Sequence, residues 1–290
     1  MKSLIPILGI MLSVSVVFSC KKHSGDEGSN GTVLSKIIVR GSSNLPSGSI
    51  EVNKYYYDAQ NRITGFDYLY GDAAKDESGA KYVSTTKWFY KGDEQLPYKY
   101  TQFKDSIFVN EMYFFYDNQG RLATDSFLPN VTHTSYTIRQ YNWYVDKLMI
   151  ISAIHAMGTI AMRTDSFQIN NHNVLAQFGT SYPLGQGIPA TYYTYDNNIN
   201  PIHALNIHAA IPLGNLGGIN NNGYSENNPT EMKTGFIPLF GGPGGYTPAG
   251  TLTYKYNYNE HNLPVDCEAT GDGNIVGSLK TNFYYTTLIR

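Results

Sequence analysis

The 290-residue sequence predicts an all-β protein: a large antiparallel meander curled into a barrel-like sheet, with at most one short helix. Three observations carry this prediction. First, the chain holds 25 tyrosines and 28 glycines, yet only 15% of it is charged, well below the usual quarter. Flat amphipathic rings suit a pleated, half-wet surface. Second, side-chain character alternates along several segments, as in Thr64, Phe66, Tyr68 and Tyr70, and in Tyr82, Ser84, Thr86, Trp88 and Tyr90. That period of two belongs to a strand. Third, a unit of aromatic, any residue, aromatic, then Asp or Asn recurs along the chain, and it reads as a strand running into a turn.

Charge excludes two classes of function. Twenty-one basic residues against 23 acidic ones give a net charge of −2, so the chain lacks the clustered Lys and Arg of a nucleic-acid binder. Hydrophobic residues make up 41%, which excludes a highly charged disordered chain.

From the N-terminus, Met1-Lys2 precedes an apolar run from Leu4 to Phe18. The run is short for a membrane span and suits the core of a signal peptide. It ends in Val17-Phe18-Ser19-Cys20, which resembles a bacterial lipobox. On that resemblance residues 1–19 are a lipoprotein signal peptide and Cys20 takes the lipid. An ordinary secretory signal is the alternative. Residues 21–32 have no apolar side chain, so 20–32 is a flexible tether. Lys21-Lys22 follow the cysteine in place of an acidic run, which favours a periplasm-facing site on the outer membrane over the cell surface. Cys267, the other cysteine, is left without a disulfide partner and reads as a buried strand residue.

Residues 33–290 form a single β domain of 14 to 16 strands. The clearest copies of the recurring unit are Tyr55-Tyr56-Tyr57-Asp58-Ala59-Gln60-Asn61-Arg62-Ile63 and Phe114-Phe115-Tyr116-Asp117-Asn118-Gln119-Gly120-Arg121-Leu122. Looser copies place anchors at Tyr90, Ile169, Tyr195 and Tyr258. The anchor steps of 33, 26, 53, 26 and 63 fit a unit of 26 to 33 residues, sometimes counted twice. The Asp or Asn bonds the turn backbone, and Asn61, Gly120, Asn173 and Asn262 fall where the turn needs positive φ. Leu148-Met149-Ile150-Ile151, within Lys147 to His155, reads as a central strand covered on both faces. Asn200 and Pro201 open the one candidate helix, followed by Ile202, Leu205 and Ala209.

A Gly-, Asn- and Pro-rich loop insertion spans about 213–250. It holds apolar residues too numerous for a solvated linker, so it either plugs the core or forms a ligand lid carrying Phe236, Phe240 and Tyr246.

The Tyr-Asp units resemble YD repeats, the hairpins of toxin shells and teneurins. In overall layout the sequence is similar to Bacteroidetes-type exported lipoproteins of unknown function with a porin-like β fold. That resemblance rests on the lipobox, the Tyr-x-Tyr-Asp hairpins, Tyr195-Asp196 with Asn200-Pro201, and Ser225-Glu226-Asn227-Asn228-Pro229-Thr230. It implies a closed or curled antiparallel sheet and no known catalysis, so it transfers no site residue.

Motifs of known chemistry are missing from the sequence. His203 and His208 have no metal-ligand spacing on strand or helix, and Gly241–Gly245 lacks the Lys-Ser/Thr of a phosphate loop. No metal or cofactor is predicted. Asp67, Asp105, Asp125 and Asp165 are candidates for a carboxylate pair in a glycosidase-like cleft. Ser106, Ser126 and Ser166 share an Asp-Ser-apolar pattern that resembles an O-glycosylation acceptor, and repeat register explains the same pattern. The expected function is therefore a non-enzymatic, lipid-anchored envelope protein. It serves as a binding module or scaffold for a glycan, a lipid or an envelope protein; the alternative is an envelope glycan hydrolase.

Overall fold

The computed structural model describes residues 31–41, 48–72, 74, 76–129, 135–156, 158–179, 188–205, 224–238, 246–273 and 278–288. They form a closed barrel of sixteen antiparallel strands, each bonded to its neighbours in sequence. In order these are β1 (Thr32–Arg40), β2 (Ser49–Tyr57), β3 (Ile63–Asp72), β4 (Ala80–Phe89), β5 (Lys99–Lys104), β6 (Ile107–Tyr116), β7 (Leu122–Pro129) and β8 (Ser135–Trp143). There follow β9 (Lys147–Ala156), β10 (Thr159–Asn170), β11 (Asn173–Phe178), β12 (Ile188–Ile199), β13 (Asn227–Ile237), β14 (Thr247–Tyr258), β15 (Pro264–Gly273) and β16 (Ser278–Thr287). The first strand pairs with the last, from Thr32 opposite Thr287 to Arg40 opposite Lys280.

The end where β1 begins is the entry end. The β2–β3, β6–β7 and β14–β15 turns lie there, and they share one construction. In each, the Asp or Asn after the aromatic anchor accepts two backbone N–H groups through Oδ1. Asp58 takes Gln60 and Arg62, Asp117 takes Gln119 and Arg121, and Asn259 takes His261 and Leu263. Positive φ falls at Asn61 (62°), Gly120 (75°) and Asn262 (57°), as the sequence predicts. The fourth predicted position is corrected: positive φ falls on Asn171 and His172, and Asn173 is the first residue of β11. Asp196 is also not a turn residue, because β12 runs on to Ile199 through a break in register.

A second set of bonds fastens the same end. An aromatic donor at the end of one strand reaches back to a carbonyl at the start of the strand before it. Tyr57 bonds Leu34 (2.5 Å), Tyr90 bonds Ile63 (2.8 Å) and Tyr116 bonds Pro97 (2.6 Å). Trp143 bonds Leu122 (2.7 Å), Tyr195 bonds Val174 (2.6 Å) and Tyr285 bonds Pro264 (2.9 Å). Trp143 thus fills the gap in the repeat between Tyr116 and Ile169, where the anchor step was doubled. These rings explain much of the tyrosine content. Each has an apolar body for the interior and a hydroxyl that must find a partner.

A circular barrel of sixteen strands encloses an aqueous channel. Here the interior is packed: Ile37, Tyr55, Trp88, Phe114, Leu148, Phe167, Tyr254 and Phe283 belong to one contiguous buried cluster. Ile202 and Leu205, from the connection after β12, join it. That connection begins with Asn200, whose Oδ1 accepts the Ile202 N–H. Of the helix expected there, the described residues form a 3-10 turn over His203–Leu205, and Ala209 lies outside them. Burial pushes the Tyr100 and Tyr193 phenols up to about 12, so both stay neutral inside the barrel.

The prediction of a strand covered on both faces belongs to β2, not β9. In β9, inward Leu148 and Ile150 are buried while Met149 and Ile151 are half-buried on the outer wall. In β2, Glu51 and Asn53 face inward and Ile50 and Val52 face outward, yet all four are buried. Ile38, Ile50 and Val52 form a separate cluster with Leu69 and Ala80. The β3–β4 connection folds back along this patch of wall. Glu77 bonds both Lys36 (2.6 Å) and Lys54 (3.0 Å), and Asp76 bonds Arg40. The close approach requires Gly71, since a Cβ there would lie 2.2 Å from the Gly79 carbonyl oxygen.

The predicted loop insertion at 213–250 is corrected as well. Strand β13 occupies Asn227–Ile237 and separates two connections at opposite ends of the barrel. Composition hid this strand, because Asn227-Asn228-Pro229 reads as turn, whereas Met232 inside and Lys233 outside keep the strand period.

Candidate binding groove at the entry end

Three entry-end segments converge on one groove. The β8–β9 turn supplies Trp143, Tyr144, Val145 and Asp146. The β10–β11 turn supplies Gln168, Ile169, Asn170, Asn171 and His172. The segment leading into β13 supplies Tyr224, Glu226 and Asn227, with Arg121 and Leu175 completing the lining. Its volume is about 930 Å3.

Side chains in place of backbone pairing hold these parts together. β11 pairs with β12 only at Ala176, Gln177 and Phe178, so the wall opens towards the entry end. Residues from the segment leading into β13 fill the opening. Asn173 and Asn227 exchange two bonds, at 2.8 and 3.1 Å. Ser225 accepts the Val174 N–H and donates to the Tyr195 hydroxyl, which donates to the Val174 carbonyl. On the other side Tyr144 N–H bonds the Lys147 carbonyl and Ile169 N–H bonds the Asp146 carbonyl, both at 2.8 Å.

The groove is aromatic at its base and polar around it. The Trp143 and Tyr224 rings lie 5.3 Å apart at 33°. Trp143 is fixed by its bond to Leu122, and the Arg121 guanidinium lies 5.8 Å over its ring. Tyr144 is 56% exposed. Arg121 is already neutralised by Asp117 at 2.7 Å. The two carboxylates in the lining are Asp146, which is exposed, and Glu226, half-exposed and 3.8 Å from His172 Nδ1.

The carboxylates singled out in the sequence do not converge. Asp67 is on the outer wall and accepts from Tyr56 (2.6 Å) and Thr85. Asp105 lies in the β5–β6 turn. Asp125 is fully buried inside the barrel, held by Arg139 (2.9 Å) and Tyr141 (2.5 Å). Asp165 faces inward and pairs with Arg163 (2.8 Å).

The Asp-Ser-apolar pattern follows wall alternation in β7 and β10, with Asp125 and Asp165 inward and Ser126 and Ser166 outward. Ser106 occupies an exposed two-residue turn with Asp105. Cys267 is a buried residue of β15. The His203 ring bonds the Tyr224 carbonyl through Nδ1 at 3.0 Å.

Phe236 and Tyr246 flank the connection at the far end of the barrel, away from the groove. Tyr246 packs edge-on against Tyr192 at 5.0 Å, and Phe236 is part of β13. Cys20, His208, Phe240 and Gly241–Gly245 lie outside the described residues.

None of the groove residues was a sequence candidate. The signal that points to them is the doubled repeat step, since the skipped unit is the one that bears Trp143-Tyr144.

Two solved structures resemble this barrel. One is a porin-like protein from Bacteroides uniformis, 15% identical, with a TM-score of 0.53 over 87% of this chain and 98% of that one. The other is a porin-like protein from Bacteroides vulgatus, also 15% identical, with a TM-score of 0.52 over 89% of this chain and all of the other. The likeness is one of fold. No family model matches the sequence, and no curated protein matches it.

Proposed function

We propose that the chain is a lipid-anchored protein of the bacterial outer membrane, facing the periplasm and working as a non-enzymatic binding module through the entry-end groove. The groove itself carries the reading: an aromatic base, a rim of amides and carboxylates, and an exposed Tyr144 on a tightly bonded frame. Anchoring rests on the lipobox residues Val17–Cys20. From Cys20 to Thr32 an extended tether reaches about 40 Å at most, which keeps the entry end close to the membrane.

The outer wall of β13–β16 supports a peripheral position. A spanning barrel needs an outward apolar band about 25 Å tall. The outward register of β13–β16 instead carries Glu231, Lys233, Lys255, Glu268 and Lys280. Attachment through a lipid leaves this charged wall in water.

A thermal-shift screen of glycans, lipids and envelope proteins tests the groove, because a ligand that binds only the folded state must raise its stability. The expected result is a shift that disappears in Tyr144→Ala and in Asn171→Ala, both rim residues of exposed turns. Shifts that persist unchanged in both variants overturn the groove as the binding site.

A further inference from the structure

We infer that the ligand of the entry-end groove is a neutral oligosaccharide, stacked on its aromatic side chains and read by its amides. This rests on the groove being the binding site.

Three features of the lining select that chemistry. The first is the combination of rings with planar polar groups. A pyranose has an apolar C–H face and an equatorial fringe of hydroxyls. The C–H face suits the exposed Tyr144 ring and the Trp143–Tyr224 base. The hydroxyls need partners that both donate and accept, and Gln168, Asn170 and Asn171 each carry a donor and an acceptor in one plane, whereas the Asn227 amide is held by Asn173 and Asn198.

The second feature is charge. Among the described residues the one Lys or Arg in the lining is Arg121, and Asp117 already holds it through Nε (2.8 Å) and a terminal nitrogen (2.7 Å). Against it stand Asp146 and Glu226. An acidic ligand would bring its negative charge beside two carboxylates, with no unpaired guanidinium or ammonium among the described lining residues to meet it. Phosphate, sulfate and uronate groups are therefore disfavoured. The same carboxylates are good acceptors for sugar hydroxyls.

The third feature is size and polarity. At about 930 Å3 the groove lies near the top of the range for small-molecule sites, roughly 300–1,000 Å3, so it holds several sugar rings in place of one. An acyl chain would need a deep apolar slot. Beyond its rings, the aliphatic contacts among the described lining residues are Val145, Ile169 and Leu175, set among amides and carboxylates.

The test is isothermal titration of the detergent-solubilised full chain. The titrants are neutral hexasaccharides of β-glucose, α-glucose, mannose and N-acetylglucosamine, a hexagalacturonate, and phosphatidylglycerol vesicles. The expected result is saturable binding of at least one neutral hexasaccharide, tenfold or more tighter than hexagalacturonate. Tyr144→Ala should weaken it tenfold or more with no change in melting temperature, and Tyr144→Phe should restore most of it, since the ring face carries the contact.

Tighter binding of hexagalacturonate or of the vesicles, lost in Tyr144→Ala, overturns the oligosaccharide assignment while leaving the groove as the site. Oligosaccharide binding that is the same in Tyr144→Ala and Asn171→Ala overturns the groove reading itself. Failure of every hexasaccharide to bind also overturns the oligosaccharide assignment.

Discussion

Tyr57 donates its hydroxyl to the Leu34 carbonyl across 2.5 Å, and so joins the end of β2 to the start of β1 at the side the hairpin leaves open. The bond is local in effect but spans 23 residues of sequence. Leu34 is buried, so its carbonyl gains little from water if the bond is removed. Tyr57→Phe keeps the ring and deletes the donor. It should cost about 1–2 kcal/mol, a lost hydrogen bond with a buried acceptor left over. Urea unfolding at neutral pH measures this directly, and a shift within error would remove the latch as a stabilising element.

Acid should weaken the barrel through its entry-end turns. Burial alone would raise the carboxyls of Asp58 and Asp117. The backbone N–H groups and guanidinium of Arg62 and Arg121 outweigh it and hold both below the usual carboxylate range. A carboxylate held low in the folded state binds fewer protons there than in the unfolded chain. Its contribution is complete above the ordinary value, about pH 4, and drains away as pH falls through the folded value. The urea midpoint of wild type should therefore fall as pH drops below about 4. The double variant Asp58→Asn, Asp117→Asn should be less stable at neutral pH and show a flatter acid limb. An unchanged limb would count against these turns.

Glu51 works in the opposite direction. It is 6% exposed on the inner face of β2, and burial raises its carboxyl although a bond from Tyr68 opposes the shift. Folding therefore favours the protonated acid. The stability this provides is present below about pH 4.3 and is lost as pH rises through the folded value. Glu51→Gln keeps an acceptor for Tyr68 and removes the charge. It should raise the melting temperature by roughly 2–4 °C at pH 7.5, the scale of about 1 kcal/mol in a chain of this size, and by less at pH 4. Calorimetry at the two pH values decides it, and a lower melting temperature at pH 7.5 would contradict the argument.

Cys20 is the proposed point of membrane attachment. Metabolic labelling with a tagged fatty acid should mark wild type, and Cys20→Ala should lose the label and appear in the soluble fraction. Equal labelling of the two proteins would disprove lipidation at this residue.

The regular part of this fold was legible because a few residues carry it locally. Asp58 and Asp117 choose their turns by bonding their own backbone, and Asn61 and Gly120 accept the φ those turns require. Period-two alternation then places Trp88 and Phe114 inside the barrel. The rest depends on partners distant in sequence. Nothing near Ile50 says that its outward side chain will be covered by residues beyond β3. Nothing near Asn173 says that its amide will bond Asn227, 54 residues away, instead of sitting at a turn. The groove belongs to this second class, since its walls come from three parts of the chain that the curl of β8–β13 brings together. The apolar side chains of Phe236 and Tyr246 in Gly-rich sequence suggest either a plug of the core or a lid. A strand passing between the two connections, β13, is what puts them at the far end.

Pairing of β1 with β16 also governs when the molecule can be finished. Every other wall contact forms between neighbours in the chain, so hairpins can build one upon another as the polypeptide emerges. Thr32 must instead find Thr287 after nearly the whole chain has been made. Loop-closure entropy grows only slowly with length, so the cost of that meeting falls mainly on rate. Until it happens, β1 and β16 are two open edges with unpaired backbone groups, the feature most prone to pairing with another chain. A chain made N-terminus first has to keep Lys36–Arg40 unpaired on one side until Lys280–Tyr284 arrives, and a truncation that removes β16 would leave that edge permanently open.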